Sequence, residues 1–241
     1  MEEKITALSL DDSFRFSCSQ NVPCFNECCK NLNQFLTPYD VLRLKNYLSL
    51  SSSQFLERYT TQEIGAETGL PIIIFKPDYK NNLKCPFVSE NGCKVYESRP
   101  SSCRTYPIVR LASRNRKTGK ITEHFALLKE EHCLGFKQEK TQTVREWLYS
   151  EDVLLYNEMN DMLLEIISMK RSLMPRSLDI KSKHLFHMAC YDIDSFRTHI
   201  LEKKIVDDIN LDTDLLDKIR YDDTELLKFG IKWLKTVLFK A

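Results

Sequence analysis

The 241 residues carry 35 basic and 34 acidic side chains, a net charge of +1, with 42% apolar and 29% charged residues. That is enough apolar sequence to build a core, which excludes a disordered chain, and the balanced charge offers no global field to attract nucleic acid or an anionic membrane. None of the six glycines falls in a G-x-G-x-x-G or G-x-x-x-x-G-K-[ST] pattern, so the usual dinucleotide and phosphate loops are excluded.

The N-terminus, MEEKITALSLDD, has no basic start followed by an apolar stretch, and no run of the chain is long and apolar enough to span a bilayer; a cytoplasmic location without a membrane is expected. Leu36-Thr37-Pro38-Tyr39-Asp40 then places a capping threonine before a proline and an acid, predicting a helix of about three turns with Val41, Leu44, Tyr47 and Leu48 on one face. Ser51 to Ser53 restart a short helix with Phe55, Leu56 and Tyr59. Ile72 to Phe75 is a β-branched run between prolines, and Ile108 to Ser113 and Ile121 to Leu128 flank the turn Arg116 to Lys120 as a hairpin would. Thr143-Val144-Arg145-Glu146 is a capping box opening a helix to about Met169, with Trp147, Leu154, Leu155, Met159, Met162, Leu163 and Ile166 as buried positions. A further helix is predicted from about Lys183 to Lys203. The last one is opened by Asp222 to Glu225, with Leu226, Leu227, Ile231, Leu234 and Leu238 apolar and the acidic stretch Asp207 to Asp217 as a linker.

Eight of the nine cysteines and seven of the eight prolines precede residue 134, whereas helical periodicity dominates from Thr141 onward. The expected fold is therefore α+β and predominantly helical. A loop- and hairpin-rich metal-binding domain over 1–140 would pack on a helical C-terminal extension over 141–241.

In a reducing compartment a dense cysteine pattern reads as metal ligands or reactive thiols before disulfides. The pattern is Phe16-x-Cys18, Cys24-x3-Cys28-Cys29, Cys85-Pro86-Phe87, Gly92-Cys93-x2-Tyr96-x2-Arg99-Pro100-x2-Cys103-Arg104-x-Tyr106-Pro107 and Cys133-x-Gly135. Adjacent Cys28 and Cys29 point too far apart to be two ordinary terminal ligands of one small ion, so they serve different metals, or one bridges. Cys24 and Cys28, four apart, would share a face on a helical turn and suit a common metal. Eight thiols complete two four-thiolate sites or one cluster with extra ligands. Such a centre carries net negative charge, which Lys30, Lys84, Lys94, Arg99 and Arg104 are placed to offset by contacts to the sulfurs. Cys190, alone in an apolar helix, reads as a core residue. Sulfur-only ligation fits zinc, iron or an iron–sulfur cluster; the C-x2-C knuckles of zinc ribbons and the C-x3-C-x2-C of radical enzymes are both missing.

These motifs resemble the YkgJ-type cysteine-cluster family of zinc- or iron-chelating domains over roughly residues 14–136, the block from Tyr96 to Pro107 being the most specific part. The resemblance implies Cys18, Cys24, Cys28, Cys29, Cys85, Cys93, Cys103 and Cys133 as metal ligands, with Tyr96, Arg99 and Arg104 around them. The cluster is also distantly similar to that of flagellin lysine N-methylase, which implies an iron–sulfur centre and raises methyl transfer. Three readings follow: an iron–sulfur or iron protein with redox or group-transfer chemistry; a structural zinc module whose helical part binds a protein partner; and metal storage or delivery, with metal ions and a protein partner or protein substrate as the expected partners. Whether the chain is an enzyme stays open at this stage. His132, beside Cys133, and the helical pair His184 and His187 read as incidental histidines, and Arg110 to Lys120 as a solvated hairpin tip.

Overall fold

The structure, a computed structural model, describes residues 4–30, 34–76, 78–174, 177–202 and 212–239. In chain order the elements begin with β1 (Lys4–Leu8), β2 (Ser13–Arg15), β3 (Phe35–Leu36), α1 (Pro38–Tyr47), α2 (Ser52–Tyr59), β4 (Thr60–Ile64), β5 (Pro71–Phe75), β6 (Val88–Ser89) and β7 (Gly92–Cys93). They continue with α3 (Ser101–Thr105), β8 (Ile108–Arg114), β9 (Ile121–Lys129), β10 (Thr141–Thr143), α4 (Val144–Ser150), α5 (Leu154–Leu173), α6 (Ile180–Cys190), α7 (Ile193–Glu202), α8 (Thr213–Tyr221) and α9 (Asp223–Phe239). The fold is helix-rich α+β with small sheets, as the composition of the two halves implies.

Two compact units form, and each is built from two stretches of chain: residues 1–34 with 75–158, and residues 35–74 with 159–241. A segment from the cysteine-bearing half is thus grouped with the C-terminal helices, whereas the 1–140 and 141–241 division follows composition along the chain. The first unit contains the antiparallel sheet β1-β9-β8, in which Lys4 pairs with Lys129 and Ile108 with Leu127, and the antiparallel pair β2 and β10. Its core is Phe14, Phe16, Ile108, Phe125, Val144, Leu148 and Val153. The Phe16 ring meets Tyr106, Phe136 and Trp147 at centroid separations of 5.9, 5.3 and 5.6 Å, in tilted or edge-on arrangements that complement ring quadrupoles.

The second unit joins the small sheet β3-β5-β4 to a helical layer. As the sequence predicts, Thr37 and Ser51 cap α1 and α2 with full capping boxes, Asp40 and Gln54 closing them. Val41 and Leu44 of α1 are buried, whereas Tyr47 is 47% exposed and Lys45 takes a buried place instead. Lys45 does so because its ammonium reaches Asp223 at 2.8 Å and Asp194 at 3.3 Å, two carboxylates far away in sequence. Phe55, Phe186, Phe196, Ile200, Ile219, Leu226 and Leu234 fill the core, and Cys190 is fully buried among apolar neighbours.

Two predicted helices are each interrupted. The helix expected from Val144 to Met169 stops at Ser150 and restarts at Leu154, because Asp152 adopts a left-handed conformation, φ 49°. Leu154 and Leu155 consequently face solvent, while Val153, Tyr156, Met159 and Ile166 are buried. The helix expected from Lys183 to Lys203 divides at Tyr191 and Asp192, where Asp192 accepts hydrogen bonds from the Ser52 and Ser53 hydroxyls at 2.5 and 3.0 Å; Lys203 lies outside the described residues. The acidic stretch expected as a linker is partly outside the described residues, and the part that is described enters helix α8. No helix among the described residues is long and apolar enough to cross a membrane.

Candidate metal centre

All eight clustered cysteines fall in the first unit, on turns and short elements rather than on long helices or strands. Cys18 follows β2, Cys24 lies in a turn, Cys28 and Cys29 occupy a 3-10 turn over Glu27–Cys29, and Cys85 precedes β6. Cys93 is in β7, Cys103 in α3, and Cys133 precedes a 3-10 turn over Leu134–Lys137. Between Cys29 and Cys85 the chain leaves to contribute residues 35–74 to the other unit and returns, and the Cys85 N–H donates to the Cys29 carbonyl at 2.8 Å.

Polar clamps hold these turns in place. The Asn26 and Gln20 side-chain amides donate to the Ser89 and Asn91 carbonyls at 2.9 and 2.8 Å, tying the first cysteine loop to the hairpin that carries Cys93. Asn26 is left-handed, φ 69°, so Cys24 and Cys28 do not share a helical face as the four-residue spacing suggests; asparagine tolerates that conformation better than most residues. The buried Gln34 amide donates to Ser102 Oγ at 2.5 Å and accepts from the Cys103 thiol at 3.6 Å. The Cys133 turn is held against the Cys18 arm by the Ser17 N–H donating to the Gly135 carbonyl at 3.1 Å, and the Leu134 N–H donates to Cys24 Sγ at 3.1 Å. Gly135 is required by this approach, since a Cβ there would lie 2.6 Å from the Phe16 ring and 3.0 Å from the Ser17 carbonyl oxygen.

None of the nine cysteines is in a disulfide; Cys18, Cys28 and Cys103 are exposed and the other five of the cluster are half-buried. The eight form one connected electrostatic neighbourhood with Cys28 at its hub, within reach of Cys18, Cys29, Cys85, Cys93 and Cys133. Cys24 interacts with Cys18 and Cys133, and Cys103 with Cys29. Burial pushes the Cys18 and Cys85 thiols up to about 11 and raises Cys93 and Cys133, neighbouring thiolates adding to the effect. Cys28 is the exception. The Cys29 thiol donates to it and holds it down at about 7, while Cys29 itself is raised. Among the described residues no three thiol, imidazole or carboxylate groups are drawn closely enough together to hold one ion, so the structure gathers the thiols into one region without arranging them as a coordination sphere.

The surrounding residues divide by role. Arg99 lies over the exposed Tyr96 ring, 3.8 Å from its centroid, pairs with Glu151, and reaches Cys18 and Cys93 electrostatically, offsetting part of the rise that burial causes in both. Arg104 is turned elsewhere: it donates to the Glu151 carbonyl at 2.7 Å and to the Glu97 carbonyl, and it covers the Tyr156 ring, so it anchors α3. Tyr96 accordingly positions Arg99 through ring and carbonyl contacts. Lys30 pairs with Glu27, and burial, with Cys133 and Glu130 nearby adding to it, raises the pKa of the Tyr106 hydroxyl. His132 is exposed beside Glu130 at 3.8 Å, and neither it nor His184 and His187 belongs to a ligand group. Arg110 pairs with Glu123 at 2.5 Å on the hairpin, and the tip at Asn115 to Gly119 is a solvated turn.

Asn26, Gln34, Gly135 and Glu151 carry much of this arrangement, and the motif reading passes over all but Gly135. Only Gly135 left a trace in the sequence, as the glycine two residues after Cys133.

In chemical kind the donor set fits a thiophilic ion: eight thiols outside any disulfide, several of them raised in pKa by burial and then by neighbouring thiolates, with a guanidinium and a backbone N–H available to the sulfurs. Searches of the curated proteins and of the solved structures return no match. Residues 17–134 match the family model CxxCxxCC, described as a putative zinc- or iron-chelating domain. The segment that carries the eight thiols belongs to the CxxCxxCC family of zinc- or iron-chelating domains.

Proposed function

We propose that this protein holds iron, as an iron–sulfur cluster or as thiolate-bound iron, through Cys18, Cys24, Cys28, Cys29, Cys85, Cys93, Cys103 and Cys133, and works in a reducing, cytoplasmic setting. The observation that carries the reading is the grouping of eight thiols, none of them in a disulfide, in one electrostatically connected region of one unit. Crowded thiols at neutral pH hold protons against one another's charge, and a thiophilic cation replaces those protons while cancelling the repulsion. Eight sulfurs exceed the four that one tetrahedral ion accepts, and the adjacent pair Cys28 and Cys29 favours a centre of more than one metal. Bound there, an iron–sulfur centre supplies one-electron transfer or supports group transfer. Within the chain, the Cys28 thiol is held down by Cys29 and is readily ionised, Arg99 offsets negative charge, and the Asn26, Gln20 and Gln34 clamps position the loops. A protein partner or protein substrate is the partner class this reading calls for.

Metal analysis with an optical spectrum of anaerobically purified protein tests it. Iron with broad absorbance near about 400 nm that bleaches with dithionite is expected of such a centre. A colourless protein with stoichiometric zinc would replace this reading with a structural zinc module, in which metal binding supplies about 10–16 kcal/mol of folding energy.

A further inference from the structure

A second candidate site lies in the other unit, in a cleft of about 400 Å³ between the turn over residues 64–69, Lys170 and Arg171 at the end of α5, and Ser177. Lys170 is 2% exposed. Its Nζ lies 3.4 Å from where a Cβ on Gly69 would stand, so the turn is folded against the ammonium group, and the left-handed φ of Gly69, +66°, makes that turn possible. Among the described residues the Lys170 ammonium has no hydrogen-bond or ion-pair partner. The stem of Lys170 is buried while its ammonium lines the cleft, so the positive charge is offered to a partner there.

The neighbouring charges do not supply it. Arg171 Nη2 pairs with Glu67 at 3.2 Å on the exposed rim, which leaves Lys170 as the uncompensated positive charge of the cleft. The Thr68 hydroxyl oxygen accepts from the Leu70 N–H at 3.2 Å, so its hydrogen remains available to donate, and Ser177 adds a second hydroxyl. Ile64 and Ala66 give the cleft a small apolar wall.

We infer that this cleft binds a small organic molecule through a single carboxylate, which takes a charge-assisted hydrogen bond from Lys170 Nζ and a second hydrogen bond from the Thr68 hydroxyl, with its short apolar portion against Ile64 and Ala66. One uncompensated cation matches a monoanion; a phosphate dianion would bring an extra negative charge beside Glu67.

Isothermal titration calorimetry of the full-length protein with sodium propionate, at fixed ionic strength, tests the site, with inorganic phosphate as the second arm. Saturable propionate binding is expected, weakened at least tenfold in Lys170→Met and several-fold in Thr68→Val, with phosphate binding at least tenfold weaker than propionate and metal content unchanged in both variants. Circular dichroism confirms that each variant is folded, and Thr68→Val, at a turn, remains informative should Lys170→Met not fold. Absence of saturable propionate binding, or undiminished binding in a folded variant, overturns the proposal. Phosphate binding as tight as propionate overturns the single-carboxylate assignment.

Discussion

The two units contrast in what holds them. In the second, large side chains such as Phe55, Phe196 and Leu234 are fully buried, and a polar network of Lys45 and Arg197 with Asp194 and Asp223 is paired within it. In the first, a compact aromatic core around Phe16 supports β2, β8 and β9, but the turns that bear the cysteines are fixed by single side-chain amides and backbone contacts over half-exposed thiols. Apolar burial specifies a fold without help, whereas loops tied by a few hydrogen bonds gain more from an ion that cross-links them. The contrast predicts that apolar burial dominates the stability of one unit and that an ion bound by the thiols would add more to the order of the other.

Substitutions can separate the two dependences. The largest stability effect is expected from Phe196→Ala, which empties a fully buried ring position and should cost about 3–5 kcal/mol in denaturant unfolding while leaving metal stoichiometry intact. Glu151→Ala removes the carboxylate that pairs with Arg99 and leaves that buried guanidinium short of an acceptor, while the backbone carbonyl that Arg104 uses stays in place, for a loss of about 3 kcal/mol. This substitution should also weaken metal retention, read by competition with a chelator, because Arg99 is released from its place near Cys18 and Cys93. A substitution to glutamine keeps the shape and one acceptor and should show a smaller loss of both.

Acid should act on the second unit in a defined direction. Burial raises the Asp223 carboxyl, but the hydrogen bonds from Lys45 and Arg197 outweigh it and hold the group below its ordinary value. Its contribution is therefore fully present above the unfolded value near 3.8 and is lost as pH falls through the lower folded one. Unfolding free energy followed by helical circular dichroism should drop between about pH 5 and 2, and Asp223→Asn should flatten that drop. Smallest of all, Cys190→Ser should leave metal content unchanged and cost about 1–3 kcal/mol for a hydroxyl placed in an apolar site. A loss of metal on that change would mean that thiols outside the cluster take part.

Local signals were the legible ones. Thr37-Pro38 and Ser51 cap helices through their own neighbours, and the turn before Lys120 joins adjacent strands, so sequence spacing is sufficient to find them. Strand β1 escaped notice because its partners, Phe125 to Lys129, lie far along the chain. The breaks at Asp152 and Asp192 were equally hidden. Glu151 is taken by Arg99 and Arg104, and Asp192 by Ser52 and Ser53, and no helical periodicity records such partners. Of the metal centre, the thiols could be read directly because cysteine announces its chemistry. Their supports could not, since Gln34 and Asn26 acquire a role only through residues more than sixty positions away.

Metal-edge X-ray absorption on the protein purified without oxygen counts the atoms around the ion directly. Convergence of the eight thiols requires a shell made of sulfur, at about 2.3 Å, that is diminished in Cys28→Ser. A shell dominated by oxygen or nitrogen, or an unaltered sulfur shell in that variant, would contradict it.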